Sequence, residues 1–162
     1  MHQHRKVSLN STKFTTACYI LSFVAYHSEK QHSSRTIAKW VNVNPSRVRQ
    51  LISRLVQAGL LTSTRGGKGG VTMARAPSTV SLLDVFEAVA EPNVELFSID
   101  NPFSDWKDRC YVHDVLSGLR NEMDRDFRNR LASIKVSSLY SADRALEKEG
   151  LADAITPSHM KA

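Results

Sequence analysis

Apolar residues recur at helical spacing along the first part of the chain. From Thr12 to about His27 the positions Phe14, Ala17, Cys18, Leu21, Val24 and Ala25 predict a helix with one buried stripe, with Ser11 or Thr12 placed to cap it. Ser28–Ser33 is polar and reads as a loop. A short apolar-faced helix then follows over Thr36–Val41, which Ser34 can cap. Asn42-Val43-Asn44 separates it from a second helix, Pro45–Ala58, with a core stripe of Val48, Leu51, Ile52, Leu55 and Val56. Asn44 is a good N-cap, Pro45 suits the first helical position, where no amide hydrogen is needed, and Gly59 is the residue for a left-handed helix end. The pattern then changes period. Leu60–Arg65 and Val71–Arg75 alternate like strands around the turn Gly66-Gly67-Lys68-Gly69-Gly70.

Beyond the hairpin, Ala76-Pro77-Ser78 breaks the chain, and Ser81 opens a helix (Leu82, Leu83, Val85, Phe86, Val89) that stops before Pro92. Residues 93–109 contain Pro102 and few periodic apolar positions. From Val112 the residues Leu116, Leu119, Met123, Phe127, Leu131 and Ile134 follow at steps of three or four. That spacing is near the 3.6-residue period of an unsupercoiled helix, and at ~1.5 Å per residue the helix is about 34 Å long. Charges crowd its other faces (Arg120, Glu122, Asp124, Arg125, Asp126, Arg128, Arg130), so the long apolar stripe calls for a partner helix, the alternative being that it folds back on its own domain. Lys135–Leu146 reads as a short helical addition. The architecture expected is mainly α with a small antiparallel β-wing: a winged helix-turn-helix domain plus a long dimerisation helix. The boundaries fall at 1–91 for the winged helix, 92–110 for a connecting loop, 111–147 for the dimerisation helix and short C-terminal helix, and 148–162 for a flexible tail.

Charge sharpens this division. Residues 1–75 hold twelve Lys and Arg against the single acid Glu29, a net +11; residues 76–162 hold ten against fifteen, a net −5, which together make the +6 of the whole chain. A basic half joined to an acidic one is the footprint of a domain that sits on phosphates attached to one that does not. With 162 residues the chain can bury one core, or a small domain plus an oligomerisation element. No run approaches the ~18 apolar residues of a membrane span, and no apolar stretch with a cleavage site follows the basic start, so neither membrane insertion nor a signal peptide is expected. Two cysteines, Cys18 and Cys110, make no disulfide framework, which fits a cytoplasmic protein.

With its apolar stripe turned inward, the helix after Asn44 faces outward with Ser46, Arg47, Gln50, Ser53 and Arg54, and Arg49 lies on the flank. A recognition helix reads base edges mainly from its N-terminal turns. Arg pairs bidentately with guanine and Gln with adenine, so Ser46, Arg47, Arg49 and Gln50 are the candidate base readers and Arg54 a phosphate contact. The wing sets Arg65 and Lys68 among four glycines, which permit positive φ and close approach to another backbone, here a DNA strand, and an Arg at such a tip suits a minor groove. A nucleotide-binding phosphate loop is excluded, because Gly69 rather than Ser or Thr follows Lys68 and the glycines do not join a strand to a helix. No nucleophile elbow, paired Cys or His-Glu-x-x-His motif is present, so no enzyme is expected. His2, His4, His27 and His32 stand in polar surroundings and read as solvated.

The chain resembles the Rrf-two family of bacterial winged-helix repressors, the IscR, NsrR and CymR type. The likeness covers roughly residues 9–140. It rests on Thr36-Ile37-Ala38, Ser46-x-x-x-Gln50-Leu51, Leu55-x-x-Ala58-Gly59-Leu60-Leu61, Arg65-Gly66-x-x-Gly69-Gly70, Ala74-Arg75-x-Pro77 and Ser81-Leu82-x-Asp84-Val85. The resemblance implies a homodimer on a palindromic operator in double-stranded DNA, with one helix per protomer in a major groove and one wing in a minor groove. By the same resemblance Ser46, Arg47, Arg49 and Gln50 read bases, Arg65 enters the minor groove, and the long helix after Cys110 matches the dimerisation helix; its spaced apolar residues Val112, Leu116, Leu119, Met123, Phe127 and Leu131 are the candidate dimer seam.

Cluster-binding members of that family carry three cysteines at a six-residue step before the dimer helix, with a His three residues on. Here the register holds Ser98, Ser104 and Cys110, followed by His113. Serine is a poor substitute for a thiolate, so the likeness points to the cluster-less branch, with no iron–sulfur cofactor. Cys110, beside Lys107 and Arg109 and one turn from His113, is the candidate sensing thiol, since nearby cations favour the thiolate; a relic cysteine is the alternative. Cys18 lies on the first helix's buried stripe and reads as core packing, and a Cys18–Cys110 disulfide is left open. The function expected is a DNA-binding repressor with an effector not identified by the sequence. The rivals are a protein-interaction adaptor built on a winged helix and an iron–sulfur sensor with non-Cys ligands.

Overall fold

The computed structural model describes residues 12–66, 69–91, 99 and 111–140. Along them run α1 (Thr12–Tyr26), α2 (Ser34–Val41), α3 (Pro45–Gln57), β1 (Leu61–Ser63), β2 (Val71–Met73), α4 (Leu82–Val89) and α5 (Tyr111–Ser133). The fold is mainly helical with one two-stranded antiparallel sheet, as the change of period implied.

The first helix departs from its expected single stripe. Thr16, Ile20, Ser22 and Phe23 are buried along with Ala17, Leu21, Val24 and Ala25, because α1 packs against α2, α3, α4 and β2 at once and so forms the centre of the core. Phe14 and Cys18 are only partly buried at its edge. Thr12 is the first helical residue rather than a cap, and its carbonyl accepts a 2.7 Å bond from Thr16 Oγ1.

The α2–α3 pair is set by its ends. The cap of α2 is Ser33, one residue before the expected Ser34, and its hydroxyl accepts from the Thr36 amide at 3.1 Å. Asn42 closes α2 in the left-handed region (φ 53°), a conformation that Asn tolerates better than most residues. Asn44 then caps α3 through Oδ1, 2.8 Å from the Ser46 amide, with Pro45 in the first turn. At the far end Leu60 N donates to Leu55 O (2.9 Å) and Gly59 N to Val56 O (3.0 Å), with Gly59 at φ +68°. This paired arrangement, with buried Leu60 over buried Leu55, terminates the helix and turns the chain into the wing.

The strands pair Leu61 with Met73, Thr62 with Thr72 and Ser63 with Val71, and are shorter than the alternation suggested. A third segment joins them: His32 and Val71 exchange backbone bonds of 3.4 and 2.9 Å, so the loop before α2 is fastened to the wing. The glycines serve this packing. A Cβ at Gly70 would stand 2.8 Å from His32 N and 2.9 Å from His32 O, and one at Gly69 would stand 2.2 Å from Thr64 O. The backbone these two approach within the folded chain is its own. The reading of His32 as solvated is corrected. It is half-buried, donates Nε2–H to His27 O (3.1 Å), and stacks with Phe23, which also meets Trp40 and the exposed His27.

Ser81 and Asp84 form a reciprocal cap on α4: Asp84 N donates to Ser81 Oγ (3.1 Å) and Ser81 N to Asp84 Oδ2 (2.7 Å). The rings of Phe14, Phe86 and Phe127, centroids 5.8 and 5.3 Å apart, stack edge to face and tie α1, α4 and α5 together. After α5 the chain doubles back, with Leu82 N on Ile134 O and Val136 N on Val80 O, each 2.9 Å. Residues 137–140 are helical, where the short C-terminal helix was expected.

The expected dimer seam therefore divides. Leu131 is 8% exposed within the protomer's own core, and Phe127 packs partly buried against that core. Val112, Leu116, Leu119 and Met123 remain 62%, 38%, 46% and 46% exposed, joined by Val115 and Tyr111.

Candidate nucleic-acid interface

The first turns of α3 carry the side chains that matter. Val48, Leu51 and Leu55 are buried against α1 and α2, which fixes the rotation of the helix. Ser46, Arg47, Arg49 and Gln50 are consequently exposed. Arg49 Nη2 donates to Ser46 Oγ (3.3 Å), and Arg47 donates to Thr12 Oγ1 at the start of α1. The four candidate base readers thus lie together on one accessible helix face. An open depression of about 440 Å³ runs beside them, lined by Lys13, Asn44, Ser46, Arg47, Gln50, Leu51 and Arg54.

Arg54, the expected phosphate contact, is also tied to its own chain. Its Nη1 donates to Val89 O (3.0 Å) at the C-terminal end of α4, and its Nη2 lies 3.3 Å from Glu91 Oε1. A cation at a helix C-terminus is favourably placed against the helix dipole, so this guanidinium ties α3 to α4. Glu91 also pairs with Lys13. The hydrogen bond from Lys13, followed by the charges of Lys13 and Arg54, holds the Glu91 carboxyl below its ordinary range. Neither Lys13 nor Glu91 carries a signal in the sequence pattern. They reach α3 from distant points in the chain, and only the packing of α1 and α4 brings them there.

On the wing, Arg65 is exposed two residues past the end of β1, and Gly66 (φ +117°) follows it into the turn. Lys68 lies outside the described residues, as does Cys110 with the whole register of Ser98 and Ser104. His113 is half-buried in the first turn of α5. Cys18 is present as a free thiol, and burial pushes it up to about 12. Among the described residues no group of three or more His, Cys, Asp or Glu is placed to hold a metal ion. No described helix is long and apolar enough to cross a membrane.

A helix-turn-helix with an exposed Arg- and Gln-bearing second helix, followed by a basic two-stranded wing, defines the class of winged-helix DNA-binding transcriptional regulators. Comparison with known proteins gives the particular family. The family model Rrf2, described as an iron-dependent transcriptional regulator, matches residues 10–142, and the chain belongs to that family. It is 34% identical over 124 residues to YwnA of Bacillus subtilis, a candidate HTH-type transcriptional regulator, covering 76% of this chain and 90% of that one. Among solved structures it is similar to CymR, the global cysteine regulator of B. subtilis (25% identity, TM-score 0.59, covering 82% of this chain and 95% of that one). It also shares the fold of T. potens IscR (24% identity, TM-score 0.63, covering 83% of this chain and 88% of that one). The protein is a DNA-binding transcriptional regulator and not an enzyme.

Proposed function

We propose that the protein is a homodimeric repressor that binds a palindromic operator in double-stranded DNA. The observation that carries this reading is the clustering of Ser46, Arg47, Arg49 and Gln50 on the exposed N-terminal face of α3. These four read base edges in a major groove, while Arg65 and Lys68 of the wing engage a minor groove and flanking phosphates. The uncovered stripe Val112, Leu116, Leu119 and Met123 supports dimerisation, since four large apolar side chains on one helix face gain by meeting their own copies across a two-fold axis. A regulator of this kind works where the bacterial chromosome is, in the cytoplasm.

The signal enters at Cys110, with His113 three residues on in the first turn of α5. Oxidation or adduct formation there shifts the dimer helix and with it the spacing of the two α3 helices. Of the chain's two cysteines, Cys18 sits at the edge of the core with its thiol pushed up to about 12, which does not suit either a redox switch or a cluster ligand. Ser98 and Ser104 stand in the family register of cluster thiolates, so the donor set does not fit an iron–sulfur cluster, and the protein works without one.

The test is fluorescence anisotropy of the purified protein on DNA from its own promoter region, with thiols reduced and then mildly oxidised. Affinity should fall steeply with salt, by a log–log slope of about −0.9 for each phosphate neutralised. Arg65→Ala should weaken binding by about 1 kcal/mol or more, the scale of one charge-assisted contact. Binding flat in salt would return the winged helix to a protein-interaction role, and equal binding in both redox states would remove Cys110 from the switch.

A further inference from the structure

We infer that Glu91 is an internal competitor for DNA phosphate, occupying two cations of the α3 face and thereby setting how tightly that face holds DNA. The inference rests on α3 being the DNA-contacting helix and adds the residues that tune it. Glu91 accepts from Lys13 Nζ and lies 3.3 Å from Arg54 Nη2, and both cations line the depression that also holds Arg47 and Gln50. All three charged side chains are more than a third exposed, so solvent and a nucleic-acid backbone reach them. A carboxylate oxygen and a phosphate oxygen present the same chemistry to an ammonium or a guanidinium, a charged acceptor of one or two N–H bonds. With Glu91 in place the trio Lys13, Arg54 and Glu91 carries a single net positive charge; without it the same rim carries two. Arg54 stays in position when the carboxylate is removed, because its other nitrogen is fastened to Val89 O at 3.0 Å. Lys13, in the first turn of α1, then becomes a phosphate contact of the same face.

The experiment compares wild type with Glu91→Gln, Glu91→Ala, Lys13→Gln/Glu91→Gln and Arg47→Ala, using anisotropy on promoter DNA and on an unrelated duplex across a salt series. Circular dichroism melting confirms that each variant is folded. Both Glu91 variants should bind the two duplexes several-fold more tightly at low salt, with a log–log slope steeper by about one, the signature of one more phosphate neutralised. The Lys13→Gln/Glu91→Gln variant should lose that gain. A Glu91 that merely braced α3 against α4 would lower the melting temperature without steepening the slope. Unchanged or weakened binding in both Glu91 variants, alongside a clear loss in Arg47→Ala, overturns the role of Glu91 alone. If Arg47→Ala also binds as wild type, the assignment of the α3 face falls, and this inference with it.

Discussion

At Cys18 the chemistry follows from position: the side chain is set into the edge of the core on α1, and burial raises the thiol to about 12, far from neutral pH. A thiolate is the reactive species, so Cys18 should resist alkylation in the native protein. In a Cys110→Ala variant, a thiol reagent at pH 7 should label nothing until denaturant is added; rapid native labelling would make Cys18 a second redox candidate. Gly70 shows a different control by a single residue. Its missing Cβ is what lets β2 lie against His32, so Gly70→Ala should cost about 1–3 kcal/mol of stability, the usual range for overpacking, read as a lowered denaturant midpoint. The glycines of this turn were legible in the sequence as a hairpin tip, but not as a contact with residue 32, because nothing local to Gln31-His32 announces a strand.

The helix ends show how far an element is legible from the chain alone. Asn44-Pro45, Gly59 and Ser81 act as caps in the places their chemistry indicates, since capping depends on atoms within three or four residues. The α2 cap falls on Ser33 instead of Ser34 because two adjacent serines offer the same chemistry, and the pairing of His32 with Val71 selects between them. On α4, burial alone would raise the Asp84 carboxyl, but the bonds from the Ser81 hydroxyl and amide and the charges of Arg75 and Lys135 outweigh it and leave it below its ordinary 3.8. A depressed folded-state value means the cap stabilises the protein above the unfolded-state value and ceases to do so as pH falls through the folded one. Asp84→Asn should therefore cost about 1 kcal/mol at pH 7, the common magnitude for a lost cap. That difference should shrink towards zero in acid; a difference constant from pH 7 to pH 2 would assign the effect to packing rather than charge.

Across the whole molecule, α5 serves two masters. Its C-terminal part, with Phe127 and Leu131, is stacked on Phe86 and the core, while its N-terminal part carries the exposed stripe. Two substitutions on one helix should thus behave differently. In the proposed homodimer, Leu116→Lys should leave the protomer folded but halve the mass found by sedimentation and weaken operator binding, because two half-sites would no longer be held by one particle. Phe127→Ala should lower thermal stability by about 2–3 kcal/mol, somewhat less than a fully buried Phe would, since the ring is only partly covered. A Leu116→Lys protein that sediments as wild type would move the dimer contact off this face.

The sequence by itself determined the local order: which segments are helices, the caps of α3 and α4, the turn between α2 and α3, and which face of α3 looks outward. Those depend on the spacing of apolar residues and on caps that act over a few positions. Tertiary structure alone decided what comes together from afar. It tied Arg54 to the end of α4, brought Lys13 and Glu91 to the α3 face, and fastened His32 to the wing. It also divided one uniform stripe on α5 between interior and surface. The physical reason is the same throughout: a helical period records that a side chain is apolar and on which face it lies, but not which element, if any, arrives to cover it.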